Sequence, residues 1–238
     1  ERVSSGKSFL IKNEGTRDPS SLVSLDDIER AMNSACNINT PVQVINNGSR
    51  NNIIDEKLYW SPVALKKTEL KNMLEAGHSI VMMNMSQLNK QVSALIDNIE
   101  QTINASHADL HLYVSVQGNA TGYHAHRDRP QHKIYMQVVG KTHWQLFSHT
   151  SDLPDNTVSL SEVDEQKYLT EQSSFTMEPG DVLYMPPNTF HKVKNNEGAR
   201  ISFSIPFIIS QNNPIKKMDR SYIPFRDIFE KSLNDVDK

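Results

Sequence analysis

The sequence predicts a mainly β fold with flanking helices, its strands forming a sandwich or barrel. Two observations carry this. From about residue 109 the chain breaks into short segments rich in β-branched and aromatic residues, LHLYVSV, HKIYMQVV, THWQLF, SSFTME, DVLYM and ARISFSIPFII, separated by Gly, Pro and Asn turns. Before that point the apolar residues recur at helical spacing instead.

The elements follow in order. Residues 1–20 are polar and read as a mobile lead-in. Residues 21–108 form a helix-and-strand region packing on the barrel, 109–210 the barrel itself, and 211–238 a helical tail. Ser24 can cap a helix running through SLDDIERAMNSA, where Asp26 and Asp27 suit the positive end of the helix dipole. Leu25, Ile28, Met32 and Ala35 mark its apolar face. PVQVI is a short strand and NNGSRNN a loop. Thr68 to Ala76 reads as a helix stopped by Gly77. SIVMMNM is a strand, and Leu88, Val92, Leu95, Ile96, Ile99 and Ile103 line one face of a long helix. The tail helix could pack on the barrel or on a second copy, which leaves a homodimer open.

The 238 residues suffice for one sizeable domain. At 37% hydrophobic and 22% charged residues the composition is that of a water-soluble globular protein, and no apolar run is long enough to span a membrane. A net charge of −3 argues against a nucleic-acid partner. The single cysteine, Cys36, excludes a disulfide framework and Cys-rich metal sites. With no secretory signal at its start, the expected location is cytoplasmic, although the chain begins at Glu1 rather than Met.

The chemistry concentrates in GYHAHRDRPQHK. His126 and Asp128 form an H-x-D pair, and on an extended chain residues i and i+2 point to the same face. A third donor is available in His191, within EPGDVLYMPPNTFHKV. There Pro179-Gly180 makes a tight reversal before a strand, and Pro186-Pro187 ends it. Two histidines and one carboxylate on one face of an ion leave open positions, the arrangement of non-haem Fe(II) oxygenases. An H-x-D alone is weak; its setting between strands strengthens it.

These blocks, together with AGHSIVMMNM, LHLYVSVQGNATGYHAHRD, KIYMQVVGKTHWQLF and RISFSIPF, resemble the JmjC oxygenases of the ribosomal-oxygenase, cupin-like group over roughly residues 60 to 210. The resemblance implies a double-stranded β-helix (a jelly-roll of the cupin and JmjC type), with Fe(II), 2-oxoglutarate and O2. It implies hydroxylation of a C–H bond in a protein, peptide or amino-acid substrate, with succinate and CO2 as co-products.

2-Oxoglutarate needs a cationic or hydroxyl partner for its distal carboxylate. Arg200 and Ser202 alternate with Ile201 and Phe203 on the last strand and face the cavity if the apolar pair faces the helices. The resembled group puts its basic residue where this chain has Thr142, so Arg200 with Thr142, Lys141 by a shift of register, or Lys133 remain alternatives. Tyr113 and Tyr123 are candidate hydrogen-bond donors. His124 could replace Asp128 in a cupin-type set, but Asp128 supplies the carboxylate and is preferred. Arg127 and Arg129 read as solvated, and His132, His143 and His149 as peripheral. Competing functions are a metal-dependent cupin dioxygenase or isomerase without 2-oxoglutarate, and a non-enzymatic binding barrel.

Overall fold

The computed structural model describes residues 6–34, 42–46, 49–52, 66–118, 122–195 and 197–209. The expected tail over 211–238 and Ala35 lie outside these residues.

Twelve strands and four α-helices are present among them. The strands are β1 (Phe9–Ile11), β2 (Val42–Asn46), β3 (Ser49–Asn52), β4 (Ser79–Met82), β5 (Ala105–Ser106), β6 (His111–Ser115), β7 (His132–Val139), β8 (Thr142–His149), β9 (Leu169–Met177), β10 (Val182–Met185), β11 (Phe190–Lys194) and β12 (Arg200–Ile209). The helices are α1 (Leu25–Ser34), α2 (Lys67–Glu75), α3 (Lys90–Thr102) and α4 (Glu162–Tyr168). All pairings are antiparallel. The large sheet runs β1-β10-β7-β12-β6-β4-β2-β3, with β5 also on β12; the small sheet runs β11-β8-β9.

The two sheets face each other as a jelly-roll. Tyr135, Leu183 and Met185 of the large sheet pack with Trp144, Leu146 and Met177 of the small one. Alternation produces this: Thr142, Trp144 and Leu146 on β8 are buried while the residues between them are half-buried. Strand β12 is buried from Arg200 to Phe207, because both of its faces are covered. Its Ile201, Phe203, Ile205 and Phe207 join Val92 and Ile96 of α3 and Ile28 of α1 in the main core. Burying each of Val92 and Ile96 stabilises the fold by about 1.5–3 kcal/mol. The apolar half of the β12 alternation therefore does face the helices.

The helices start as expected. Ser24 Oγ accepts from Asp27 N, and Asp27 Oδ2 accepts from Ser24 N in return. Leu25 is a correction: it is exposed, and Ile28 carries the buried face of α1. Leu88 precedes α3 rather than lying in it. Gly77 follows α2 with φ +83°, a conformation that suits glycine.

Several elements were not read from the residue pattern alone. The lead-in contributes β1, which pairs with β10 while Asp181 accepts from Asn13 N and pairs with Lys12. The Asn-rich stretch expected to be a loop contains β3, hairpin partner of β2. Helix α4 is capped by Ser161, and β11 carries His191.

Candidate metal and 2-oxoglutarate site

His126 and His191 sit directly opposite each other. His126 N donates to His191 O at 3.1 Å and His191 N to His126 O at 2.9 Å. Residues paired this way present their side chains on the same face. The rings stand 4.3 Å apart between centroids. Asp128, two residues on, shares that face, and one ligand atom from each of the three side chains lies within 4.8 Å of the others.

Both rings have a fixed orientation. Nδ1 of His126 hydrogen-bonds with His124 O at 2.9 Å, and Nδ1 of His191 with Thr189 O at 3.1 Å. A carbonyl can only accept, so Nδ1 carries the proton and Nε2 keeps its lone pair for a ligand. Burial holds the His191 pKa down at about 3; His126 and Lys133 add to the effect, and Asp128 and the Thr189 hydrogen bond oppose it. Burial would push Asp128 up, but Lys133, His191 and His126 outweigh it and bring the carboxyl to about 2. At neutral pH His191 is thus a neutral imidazole and Asp128 a carboxylate, the protonation states that a divalent cation requires. The donor set fits such an ion.

The H-x-D segment is held from behind. Arg127 alternates to the opposite face, where it is 4% exposed. Its guanidinium donates to Thr157 O at 2.7 Å and Asp155 O at 2.8 Å and lies 4.7 Å from the Phe190 ring centroid. Arg127 is therefore a buried clamp on the 154–157 loop and not a solvated charge. Arg129 is exposed and hydrogen-bonds Asp155 O. Glu165 of α4 accepts from Ala125 N at 2.6 Å and from Lys192 Nζ at 2.6 Å. One carboxylate thereby ties the H-x-D segment to the strand that carries His191.

Next to His126 and His191 opens a cavity of about 490 Å³ including its mouth. Tyr113, Tyr123, Tyr135, Trp144, Arg200 and Ser202 are among its lining residues. Arg200 is 5% exposed, and no carboxylate among the described residues pairs with it. Among the described residues hydroxyls hold it: Nε donates to Ser115 Oγ at 3.2 Å and an NH2 group to Ser79 Oγ at 3.4 Å. Asn195 fixes the same Ser115 Oγ at 3.0 Å. Burial lowers the Arg200 pKa to about 10, so the group stays charged at neutral pH. A buried guanidinium with no carboxylate partner among the described residues, lining a cavity, suits an anion.

The other candidates for the cosubstrate carboxylate divide. Lys141 is half exposed and pairs with Glu178 at 2.8 Å, away from the cavity. Thr142 is buried, but donates to Gln137 Oε1 at 2.9 Å and accepts from Trp144 Nε1 at 3.0 Å, so it supports the wall and does not line it. Ser202 lines the cavity and donates to the same Gln137 oxygen at 2.8 Å. Lys133 is buried too, yet its ammonium lies 2.8 Å from Asp128 Oδ1. Tyr113 lines the cavity, edge-on to Tyr123. His124 contributes its carbonyl to His126 and is outside the donor cluster.

Two residues of the site, the cavity-lining Tyr135 and the supporting Gln137, escaped the sequence reasoning. Gln137 links Thr142 to Ser202, and Tyr135 places its hydroxyl 3.3 Å from His191 Nε2. Their signal was the spacing Lys133, Tyr135, Gln137, one face of β7.

The fold and donor cluster define a class, and comparison with known proteins identifies it. The family model for the JmjC domain matches residues 82–214, more than half of the chain, and the chain belongs to that family. Ribosomal oxygenase 2 of Mus musculus is 32% identical over 78 residues, 33% of this chain and 16% of that protein. The Rattus norvegicus protein of the same name is 31% identical over the same shares. Among solved structures, E. coli YcfD superposes with TM-score 0.58 at 14% identity, over 97% of this chain and 64% of that one. A YcfD structure described as a ribosomal oxygenase complexed with cobalt and 2-oxoglutarate gives 0.57 at 14% identity, over 97% and 63%. At such identity the likeness establishes the fold. The chain spans about a sixth of the curated relatives and under two thirds of the solved ones. No helix among the described residues is long and apolar enough to cross a membrane.

Proposed function

We propose that this chain is an Fe(II)- and 2-oxoglutarate-dependent oxygenase that hydroxylates a C–H bond of a protein, peptide or amino-acid substrate. His126, Asp128 and His191 would hold the iron, the histidines through Nε2 because Nδ1 of each is hydrogen-bonded to a carbonyl. Arg200 receives the distal carboxylate of 2-oxoglutarate, with Ser202 and Tyr113 beside it. The iron supplies the site at which the 2-oxo acid chelates and O2 is activated, giving succinate and CO2 as co-products.

The observation that carries this reading is the unpaired buried guanidinium of Arg200 in the same cavity as His126 and His191. That charge suits the distal carboxylate of a dicarboxylate cosubstrate. Gln137 keeps Ser202 turned to the cavity, and Ser115 and Ser79 keep Arg200 extended. The relatives named as ribosomal oxygenases support a protein substrate, and a ribosomal protein is the first to try. One cysteine and no membrane-crossing helix among the described residues fit a cytoplasmic setting.

The test is anaerobic titration of the Fe(II)-loaded protein with 2-oxoglutarate. Binding with a new visible metal-to-ligand charge-transfer band is expected. Stoichiometric iron with no 2-oxoglutarate binding would overturn the proposal in favour of a cupin centre of another kind.

A further inference from the structure

Residues 158–160 extend the small sheet past the metal ligands. Leu160 N donates to Ala125 O at 3.0 Å and Arg127 N to Val158 O at 2.9 Å, which sets Ser159 opposite His126. His191 pairs with the other side of His126, so His191, His126 and Ser159 form one row across the sheet. Paired residues share a face, so the Ser159 side chain lies on the metal side. Leu160 turns the other way, into the core of Leu153 and Phe190. In this kind of pair the two Cα atoms stand about 4.5 Å apart, and the peptide groups of Ser159 point away from His126. Ser159 is exposed, and among the described residues nothing hydrogen-bonds its N–H or C=O. The edge is short and fixed. The Pro154–Thr157 turn closes it at one end and α4, from Glu162, at the other. Arg127 holds the carbonyls of Asp155 and Thr157 from the opposite face. A chain added here therefore has one place to pair.

We infer that an extended segment of the substrate adds as an antiparallel strand at Ser159, which makes the substrate a peptide or protein and not a free amino acid. The inference rests on the function proposed above. The N–H and C=O of one substrate residue bond to the C=O and N–H of Ser159, and the side chain of that residue falls on the face of His126 and His191. It starts two strand spacings, about 10 Å, from the His126 backbone, a gap that a long side chain spans toward the donor cluster. The residues before and after it point to the opposite face. The edge thus selects the residue to be oxidised through its backbone register.

The probe is a set of synthetic peptides tiling bacterial ribosomal proteins, incubated with the protein, Fe(II), 2-oxoglutarate and O2, with mass spectrometry reading the gain of an oxygen atom. A hydroxylated peptide is expected. Its affinity is then measured by fluorescence anisotropy with Mn(II) in place of Fe(II), so that no turnover enters. Methylating the amide nitrogen of the oxidised residue should weaken binding roughly 10-fold, and methylating that of the next residue should not. Ser159→Pro removes an N–H that no hydrogen bond among the described residues uses, and should weaken binding of the unmodified peptide likewise. Its iron content and 2-oxoglutarate affinity report whether it has folded, and the methylated peptides decide if it has not. Equal affinity of the two methylated peptides, or undiminished binding by folded Ser159→Pro, overturns the inference. No oxidised peptide from a protein that binds Fe(II) and 2-oxoglutarate overturns it too, and leaves the proposed function standing with an amino-acid substrate. Failure to bind 2-oxoglutarate overturns both.

Discussion

The two walls of the cavity are built for different charges. The small sheet and its H-x-D extension supply His126 and His191 with Asp128, a net negative set that attracts a cation. The large sheet supplies Arg200 and Ser202 on β12, Tyr113 on β6 and Lys133 on β7. On that wall the cations are Lys133, already paired with Asp128, and Arg200, which among the described residues is held by hydroxyls. The difference teaches that metal binding and anion binding are separable. The anion wall can be damaged while the metal keeps its ligands; the Lys133–Asp128 pair and the Tyr135 hydroxyl join the two walls.

The largest effect is expected from the small sheet. Asp128→Ala should abolish tight Fe(II) binding and with it chelation of 2-oxoglutarate, as measured by iron content and calorimetry. Arg200→Ala should bind Fe(II) like the wild type yet lose roughly 10- to 100-fold in 2-oxoglutarate affinity, since a hydrogen bond to a charged group contributes about 1.5–3 kcal/mol. Lys141→Ala, on the exposed side of the wall, should change neither. If Arg200→Ala loses the metal as well, the walls are not independent.

Lys133→Met probes the junction. It removes the foremost influence holding the Asp128 pKa at about 2, so burial should carry that carboxyl upward. Carboxyl NMR titration of the metal-free protein reads the shift, and an unmoved Asp128 would assign its low value to the histidines instead. A smaller effect is expected in the stability of the metal-free protein. His191 titrates at about 3 when folded and near 6.5 when unfolded. Below pH 6.5 the unfolded chain takes up a proton that the native state refuses, so stability falls with acidification, by at most about 1.4 kcal/mol per pH unit. Thermal unfolding from pH 7 to 5 should show that slope, reduced in His191→Asn.

The metal wall was legible because its donors obey local rules. An i, i+2 pair on an extended segment and a histidine after a proline turn can be recognised without tertiary contacts. The Arg200–Ser202 alternation was legible for the same reason, once Ile201 and Phe203 were assigned to the helix side. What failed depended on partners distant in sequence. Arg127 is buried because the carbonyls of the 154–157 loop reach it, and nothing near residue 127 announces that loop. Lys133 looked like a cosubstrate ligand, but the register of β7 against β10 and β12 sets it beside Asp128. Tyr135 lay on the same face and was passed over because a core tyrosine has the same sequence pattern. Strand β1 is only three residues long and exists through its pairing with β10, so its polar surroundings concealed it.

The most direct measurement is a crystal structure with Mn(II) and 2-oxoglutarate grown without oxygen. The account expects the ion on Nε2 of His126, Nε2 of His191 and Oδ2 of Asp128, with the distal carboxylate of 2-oxoglutarate on the Arg200 guanidinium. An ion elsewhere, or a distal carboxylate on Lys141 or Lys133 with Arg200 untouched, would contradict it.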